Sequence, residues 1–339
     1  MAKASVPGKI HIIGEHAVVY GKPAILAAVN QRCTVEVKKR DDGIIRVEIE
    51  GHFKLEFTVT EAMKFLDQCS QLWKKGQEKN DWSELNKLLK EVPQGQRLIV
   101  ARSMEALKIK TGMDIKVTSD IMKKGMGSSA ALAVAFPAAM AKEFLGRDIG
   151  KERINEIAFS IEKYLHGGTP SGGDNTTCCY GGLILFQKGA SPRNLSAEIP
   201  HRLSGFMIAY AEPEKSTGEL VQQVRDLEPG FRDQRVEDLG KLTELMLGVL
   251  KFKDWGRMKD IINLSHKNLR ELGVSTARID RLVEAVKKAG GAAKLCGAGG
   301  GGAILCWHEN RERLSEAIKS AGFEPFDIEL GAEGVMVEN

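Results

Sequence analysis

Gly125-Met126-Gly127-Ser128-Ser129-Ala130-Ala131 opens an almost uninterrupted apolar run that ends at Met140. Glycines at 125 and 127 let the backbone turn tightly and bring bare N–H groups close to an anion. The apolar run reads as a buried helix that starts at the two serines. A helix N-terminus offers unpaired N–H donors and the positive end of the macrodipole. A triphosphate fits there, and a serine hydroxyl can ligate its Mg²⁺. The stretch is not a Walker A loop, because no Gly-Lys-Ser/Thr follows four variable residues. It is not a dinucleotide fingerprint, because the third glycine is missing. Taken alone, a Gly-Ser cap over a buried helix explains the same residues equally well. Lys123-Lys124 abuts the loop. Most such pairs are simply solvated.

The chain has 339 residues, 42% hydrophobic and 28% charged, with a formal net charge of +4. Cores beyond roughly 250–300 residues tend to split, so two domains are expected. The mild charge and the lack of a long basic run point away from nucleic acid. Six cysteines, at 33, 69, 178, 179, 296 and 306, form no C-x-x-C pair. Zinc is therefore not expected, and the thiols read as reduced in a cytosolic protein. Met1-Ala-Lys-Ala-Ser5 carries no apolar signal core. The longest apolar stretch, Ala130 to Ala141, is too short for a bilayer, which needs about 20 residues. No membrane association is expected.

Ile10 and Ile12 mark an N-terminal strand, with Val18-Val19 in the turn after it. Cys33–Val37 and Ile44–Ile49 alternate like strands, and Asp41-Asp42-Gly43 between them reads as a hairpin turn. Residues 60–110 read as helices without catalytic signal, and Ile115–Ser119 leads as a strand into the glycine loop. Ile154, Ile157, Ala158, Ile161 and Leu165 make one stripe of a helix over 150–166. Glu162 lies about 80° round from the centre of that stripe, an edge position that can reach into a cleft. His166 is one turn on. Thr169-Pro-Ser-Gly-Gly-Asp174-Asn175 follows as a turn, then a strand from Gly181 to Phe186. Pro192 and Pro200 mark a linker, placing a boundary that divides 1–190 from 191–339. The second part reads as strand 203–210, helices through 219–290, and Gly297–Gly302 before strand Ala303–Trp307. A final helix and strand close the chain.

Four stretches stand together: Pro7–Gly21, Gly125–Ala131, His166–Asn175 and Lys294–Gly302. Their order and spacing resemble the GHMP small-molecule kinases, from Pro7 to about Trp307. Within that superfamily the chain is most similar to the mevalonate kinases. The discriminating words are Gly14-Glu-His-Ala-Val-Val-Tyr-Gly-Lys-Pro-Ala24 and Thr169-Pro-Ser-Gly-Gly-Asp-Asn175. Galactokinases tend to carry Gly-Glu-His-Thr-Asp-Tyr at the first site, and phosphomevalonate kinases Gly-Glu-Tyr. Diphosphomevalonate decarboxylases lack the Pro-Gly-Lys start, and homoserine kinases lack the Glu-His pair.

The resemblance implies an α+β, two-domain GHMP kinase fold. Its N-terminal α/β domain would be like ribosomal protein S5 domain 2, and its C-terminal α+β domain ferredoxin-like. It implies ATP- and Mg²⁺-dependent phosphorylation of the primary hydroxyl of mevalonate, giving 5-phosphomevalonate for isoprenoid synthesis. Lys9 resembles the lysine that points at the acceptor hydroxyl and at the catalytic aspartate, and Asp174 resembles that aspartate. Glu15 and His16 resemble acceptor-site groups, beside Lys9 and Asp174. Ser129 and Glu162 resemble the Mg²⁺ ligands. Lys124, Gly125, Met126, Gly127, Ser128, Ser129, Ala130 and Gly299 fall where the family binds ATP. A homodimer is compatible with the resemblance; oligomeric state, feedback inhibition and nucleotide preference are not legible. Three departures stand out. Gly167-Gly168 lengthens the step from Glu162 to Asp174 by one residue. Met122 replaces a usual proline, and Cys296 a usual threonine.

Residue chemistry agrees with this reading. Phosphoryl transfer runs through a loose transition state, so catalysis is mostly positioning and charge neutralisation. That needs a phosphate cradle (125–129), oxygen ligands for a metal, a lone cation and an acceptor-orienting carboxylate. The alternatives are a galactokinase-like sugar kinase, a phosphomevalonate kinase, or a catalytically silent nucleotide-binding regulator.

Overall fold

The computed structural model describes residues 1–121, 125–167, 170–200, 202–215 and 217–338. The first sheet is built on two long strands, β1 (Ala2–Ile13) and β2 (Ala24–Lys39). They pair antiparallel from Ala2↔Val37 to Ile13↔Ile25, with register shifts between Pro7 and Lys9 and between His11 and Ile13. Such irregularities re-aim side chains, and here they fall on either side of Lys9 and His11.

Strands β3 (Ile44–Ile49) and β4 (Phe53–Thr58) form a hairpin with each other. The expected hairpin of β2 with β3 is not formed. Strand β5 (Met113–Ser119) inserts between them, antiparallel to β2 and parallel to β3. The turn itself is present, closed by Asp42 Oδ1, which accepts from the Ile44 N–H at 3.1 Å. Arg40 reaches across it to both Asp42 and Asp114, fastening the start of β5 to the turn. All three strands bury one apolar face, so the pattern of alternation does not choose between the two orders.

Helices α1 (Val59–Lys79), α2 (Ser83–Lys90) and α3 (Gln94–Leu107) fill the crossover from β4 to β5. Helix α4 (Ser128–Leu145) follows the glycine loop and buries every residue from Ala130 to Met140 except Leu132. It packs on β1 and β2, with α3, α5 (Lys151–Leu165) and α6 (Gly173–Tyr180) around it. Strands β6 (Leu183–Phe186) and β7 (Arg193–Asn194) extend the sheet beside the first part of β2.

The second sheet has the order β11-β8-β10-β9, all antiparallel. Its strands are β8 (Phe206–Ala211), β9 (Ala292–Leu295), β10 (Gly302–Trp307) and β11 (Phe326–Asp327). Helices α7 (Thr217–Arg225), α8 (Pro229–Phe252), α9 (Trp255–Glu271), α10 (Ala277–Lys288) and α11 (Arg311–Ser320) accompany it. The last strand, β12 (Met336–Glu338), returns to pair with the start of β1. Arg32 fastens this return by donating to the carbonyls of Glu333 and Gly334. We propose residue 190 as the division between the two units, with β7 and β12 crossing back to the first sheet. Both units contribute to the first core cluster, since Leu242, Met246, Leu250 and Ile262 join it, while a separate cluster is built around β8, β9 and β10.

Candidate active site

Lys9 anchors the site. Its backbone N–H donates to the Met126 carbonyl at 2.9 Å, tying β1 to the first glycine loop. A Cβ at Gly127 would lie 2.8 Å from Lys9 Cγ, so the loop rests on the lysine stem. Lys9 Nζ sits 2.8 Å from Asp174 Oδ2 and donates to His11 Nδ1 at 3.5 Å. Lys9 is buried, whereas 36% of the Asp174 side chain remains exposed. Asp174 lies in the first turn of α6, not in the preceding loop. Its neighbours lock that helix: Asn175 Nδ2 donates to Asn155 Oδ1 at 2.7 Å, and Thr177 Oγ1 to the Gly173 carbonyl at 2.8 Å.

Burial opposes charge on both members of the pair, and their mutual attraction prevails. Lys9 is held above its ordinary pKa and Asp174 below its own. His11 goes the other way. Burial first, then the adjacent Lys9 charge, push it down to about 3, leaving a neutral ring.

Five helices, α1 and α8 to α11, have side-chain N-caps. Helices α4 and α6 begin instead behind Gly127 and Gly172 with no side-chain cap. At α6, which carries Asp174, the Gly173 N–H already donates to Ser171 Oγ at 3.2 Å, whereas the start of α4, which carries Ser129, has no side-chain cap. Ser129 is half-buried and Ser128 exposed.

Glu162 is more buried than its edge position in the helical stripe suggests, at 3% exposure. Oε2 meets His166 Nε2 at 3.0 Å, while buried Oε1 has no partner among the described residues. Burial lowers the His166 pKa, but Glu162 more than offsets this, and the net shift is upward.

The third glycine loop faces the first. A Cβ at Gly125 would stand 3.3 Å from the Ala303 nitrogen. Gly299 is required by packing, since a Cβ there would fall 2.2 Å from the Val274 carbonyl oxygen. His16, at φ 58°, donates from Nε2 to the Ala298 carbonyl at 2.9 Å. Glu15 Oε1 pairs with Lys294 Nζ, both side chains being fully buried. Burial pushes Glu15 above the usual carboxylate range, with Lys294 pulling against it. Cys296, in the threonine position, donates its thiol to the His11 carbonyl at 3.5 Å. Burial raises that thiol to about 11, and all six cysteines are free and buried.

The expected residues Lys9, Glu15, His16 and Asp174 thus converge at the end of β1, with Gly125–Ala130 beside Lys9. Lys124, Met122 and the added Gly168 lie outside the described residues. His11 and Lys294 are in the cluster without having been singled out. Lys294 sits in a quoted motif, but its partner is 279 residues away and no local pattern links them.

Residues 96–182 match the GHMP kinases N terminal domain, and 238–324 the GHMP kinases C terminal domain. A mevalonate kinase of Pyrococcus furiosus is 33% identical over 99% of this chain and 98% of its own length. One from Thermococcus sibiricus is 32% identical, with coverage of 99% and 98%. The chain belongs to the mevalonate kinase family. The solved mevalonate kinase of Methanococcus jannaschii superposes with a TM-score of 0.79 at 25% identity, covering 97% of this chain and 98% of that one. The fold is the two-domain GHMP kinase fold. As a member of the mevalonate kinase family, the chain brings all four of its motifs to one end of β1. No described helix is long and apolar enough to cross a membrane.

Proposed function

We infer that this chain transfers the γ-phosphoryl group of ATP to the primary hydroxyl of mevalonate, giving 5-phosphomevalonate. The observation that carries this is the Lys9–Asp174 pair, held against the glycine loop by the Lys9 backbone. Asp174 Oδ2 is committed to Lys9, so Oδ1 is the oxygen left to accept the acceptor hydroxyl. A carboxylate with a depressed pKa is a weak base. In a loose transition state the hydroxyl loses its proton late, so Asp174 first orients the nucleophile and then receives that proton. Lys9 supplies a fixed cation beside the transferring group. The uncapped start of α4 and the backbone of 125–130 receive the phosphates, with Lys124 and Gly299 assigned to the same nucleotide site.

The residues fit Mg²⁺. Glu162 offers a buried oxygen without a partner, and Ser129 a hydroxyl in the first turn of α4. Among the described residues no three His, Cys, Asp or Glu side chains gather into a cage. Mg²⁺ suits such a sparse set, because it takes one or two protein ligands and completes its shell with phosphate oxygens and water. When bound, it neutralises charge on the β- and γ-phosphoryl oxygens.

Glu15 and His16 face the acceptor side. The adjoining Ala17 and Val18 offer a sugar no polar side-chain partner; they are buried, Ala17 in the second core cluster and Val18 against β2 and β6. A buried polar group left unpaired costs about 1–3 kcal/mol, which rejects a polyol. We assign the enzyme to the cytosol, where its six thiols stay reduced. A coupled ADP-release screen across mevalonate, phosphomevalonate, galactose and homoserine tests the assignment. Turnover is expected with mevalonate alone. A kcat/KM for galactose at or above that for mevalonate would overturn the substrate and leave phosphoryl transfer standing.

A further inference from the structure

A cavity of about 380 Å³ opens on the second unit. Residues from 214–220, from 273–281 and Gly300 line it, and none of the lining residues comes from β1, α4 or α6. The lining is basic. Arg278 and Arg281 stand one turn apart at the start of α10, and Lys215 is the third cation. Glu214 is the one carboxylate among the described lining residues.

Neutral groups, not carboxylates, hold these cations among the described residues. Gln223 accepts from Lys215 Nζ at 2.9 Å and donates to the Gly273 carbonyl at 2.8 Å. The Arg278 guanidinium lies over the Phe323 ring, 5.0 Å from its centre. Asp280, the nearest acid in sequence, does not line the cavity, and its Oδ1 is taken by Ser275 Oγ at 2.6 Å and His266 Nε2 at 3.1 Å. The wall is therefore ordered while its positive charge stays in excess. A concave surface lined by one sign of charge concentrates the opposite ion. Guanidinium forks match the oxygens of a phosphoryl group, and the Ser275 and Thr276 hydroxyls add polar contacts to the same wall. The volume falls at the small end of ligand sites, roughly 300–1,000 Å³, so the occupant is a small molecule.

We propose that this cavity is a second anion site, which takes a small molecule carrying a phosphate or diphosphate group. It is separate from the phosphate cradle at the start of α4, and it does not rest on the reading of mevalonate as the acceptor. Its link to the third glycine loop is Gly300, whose N–H donates to the Val274 carbonyl and whose carbonyl accepts from the Glu214 N–H, both at 2.8 Å.

Inorganic pyrophosphate is the probe, titrated by calorimetry at low ionic strength, where screening is weak. The parent is expected to bind one equivalent that the double variant Arg278→Gln/Arg281→Gln loses or holds at least about tenfold more weakly, the worth of one charge-assisted hydrogen bond. The ATP KM of that variant should stay within about twofold. Glu214→Gln removes the lining carboxylate and should tighten the same equivalent by about twofold, a gain that a damaged fold does not produce. Where the double variant fails to fold, Arg281→Gln alone replaces it, with an expected loss of about threefold. Equal pyrophosphate binding in the parent and the arginine variant overturns the proposal. So does an ATP KM that rises in step with the loss, which would place the arginines in the nucleotide site, or an unchanged affinity in Glu214→Gln. Citrate bound as tightly as pyrophosphate overturns the assignment to phosphate.

Discussion

Lys9 and Asp174 lie 165 positions apart, yet they meet at 2.8 Å because each stands where its element is re-aimed. Lys9 follows a register shift in β1, and Asp174 opens a helix behind a glycine. Both were legible from residue type and context, a lysine in Pro-Gly-Lys and an aspartate in a Gly-rich stretch. His11 was not, since a histidine in an apolar strand reads as core. The carboxylate makes a sharp prediction. Asp174→Asn keeps the shape but removes the charge that holds Lys9 and, in the proposed reaction, the carboxylate that would take the proton. Steady-state kinetics should show kcat lower by roughly 10²–10⁴, the span of a positioned acid–base group. ATP affinity, read by equilibrium binding, should barely move. A retained kcat with a raised mevalonate KM would make Asp174 a binding residue only.

At the scale of elements, periodicity found α5, which buries one face, and an almost uninterrupted apolar run found α4, which is buried nearly all round. Periodicity could not find the order of the first sheet. Strands β2, β3 and β5 alternate alike, and the contacts that accompany their order are distant in sequence, as where Arg40 reaches Asp114 across 74 positions. The glycine loop was legible as a tight turn, but what makes Gly127 necessary is the side chain beneath it. Gly127→Ala adds a Cβ 2.8 Å from Lys9 Cγ at φ 77°. Gly146→Ala, at the other end of α4, has φ 68° and nothing within 4 Å. Both carry the left-handed penalty of about 1–2 kcal/mol. Only Gly127→Ala also presses on Lys9. Chemical denaturation should therefore show a larger loss for Gly127→Ala, and kcat should fall by about tenfold or more in Gly127→Ala alone. Equal kcat values in the two variants would show that the loop does not seat Lys9.

For the whole molecule, composition indicated two units but not how they interlock. The last strand returns to β1, and α8 and α9 contribute to both cores. Three imidazoles, His11, His16 and His266, are enclosed, and burial drives each below its ordinary pKa. For a base with a depressed folded value, the unfolded chain takes up a proton that the folded chain cannot. Folding stability is therefore lost as pH falls below the unfolded value of 6.5, and for His11 the loss continues to about pH 3. The slope is about 1.4 kcal/mol per pH unit for each fully neutral imidazole. His166 acts in the opposite sense, because Glu162 raises it, so its contribution is gained on acidification. Asp174 adds a loss only near and below pH 4, where its carboxylate protonates. His11→Asn keeps an acceptor for Lys9 and removes one titrating ring. Urea unfolding at several values between pH 6.5 and 4.5 should give a shallower dependence in this variant, by about one proton's worth. Parallel curves for the variant and the parent would show that His11 takes up its proton in the folded state, and that the Lys9 site is wetter than its packing implies.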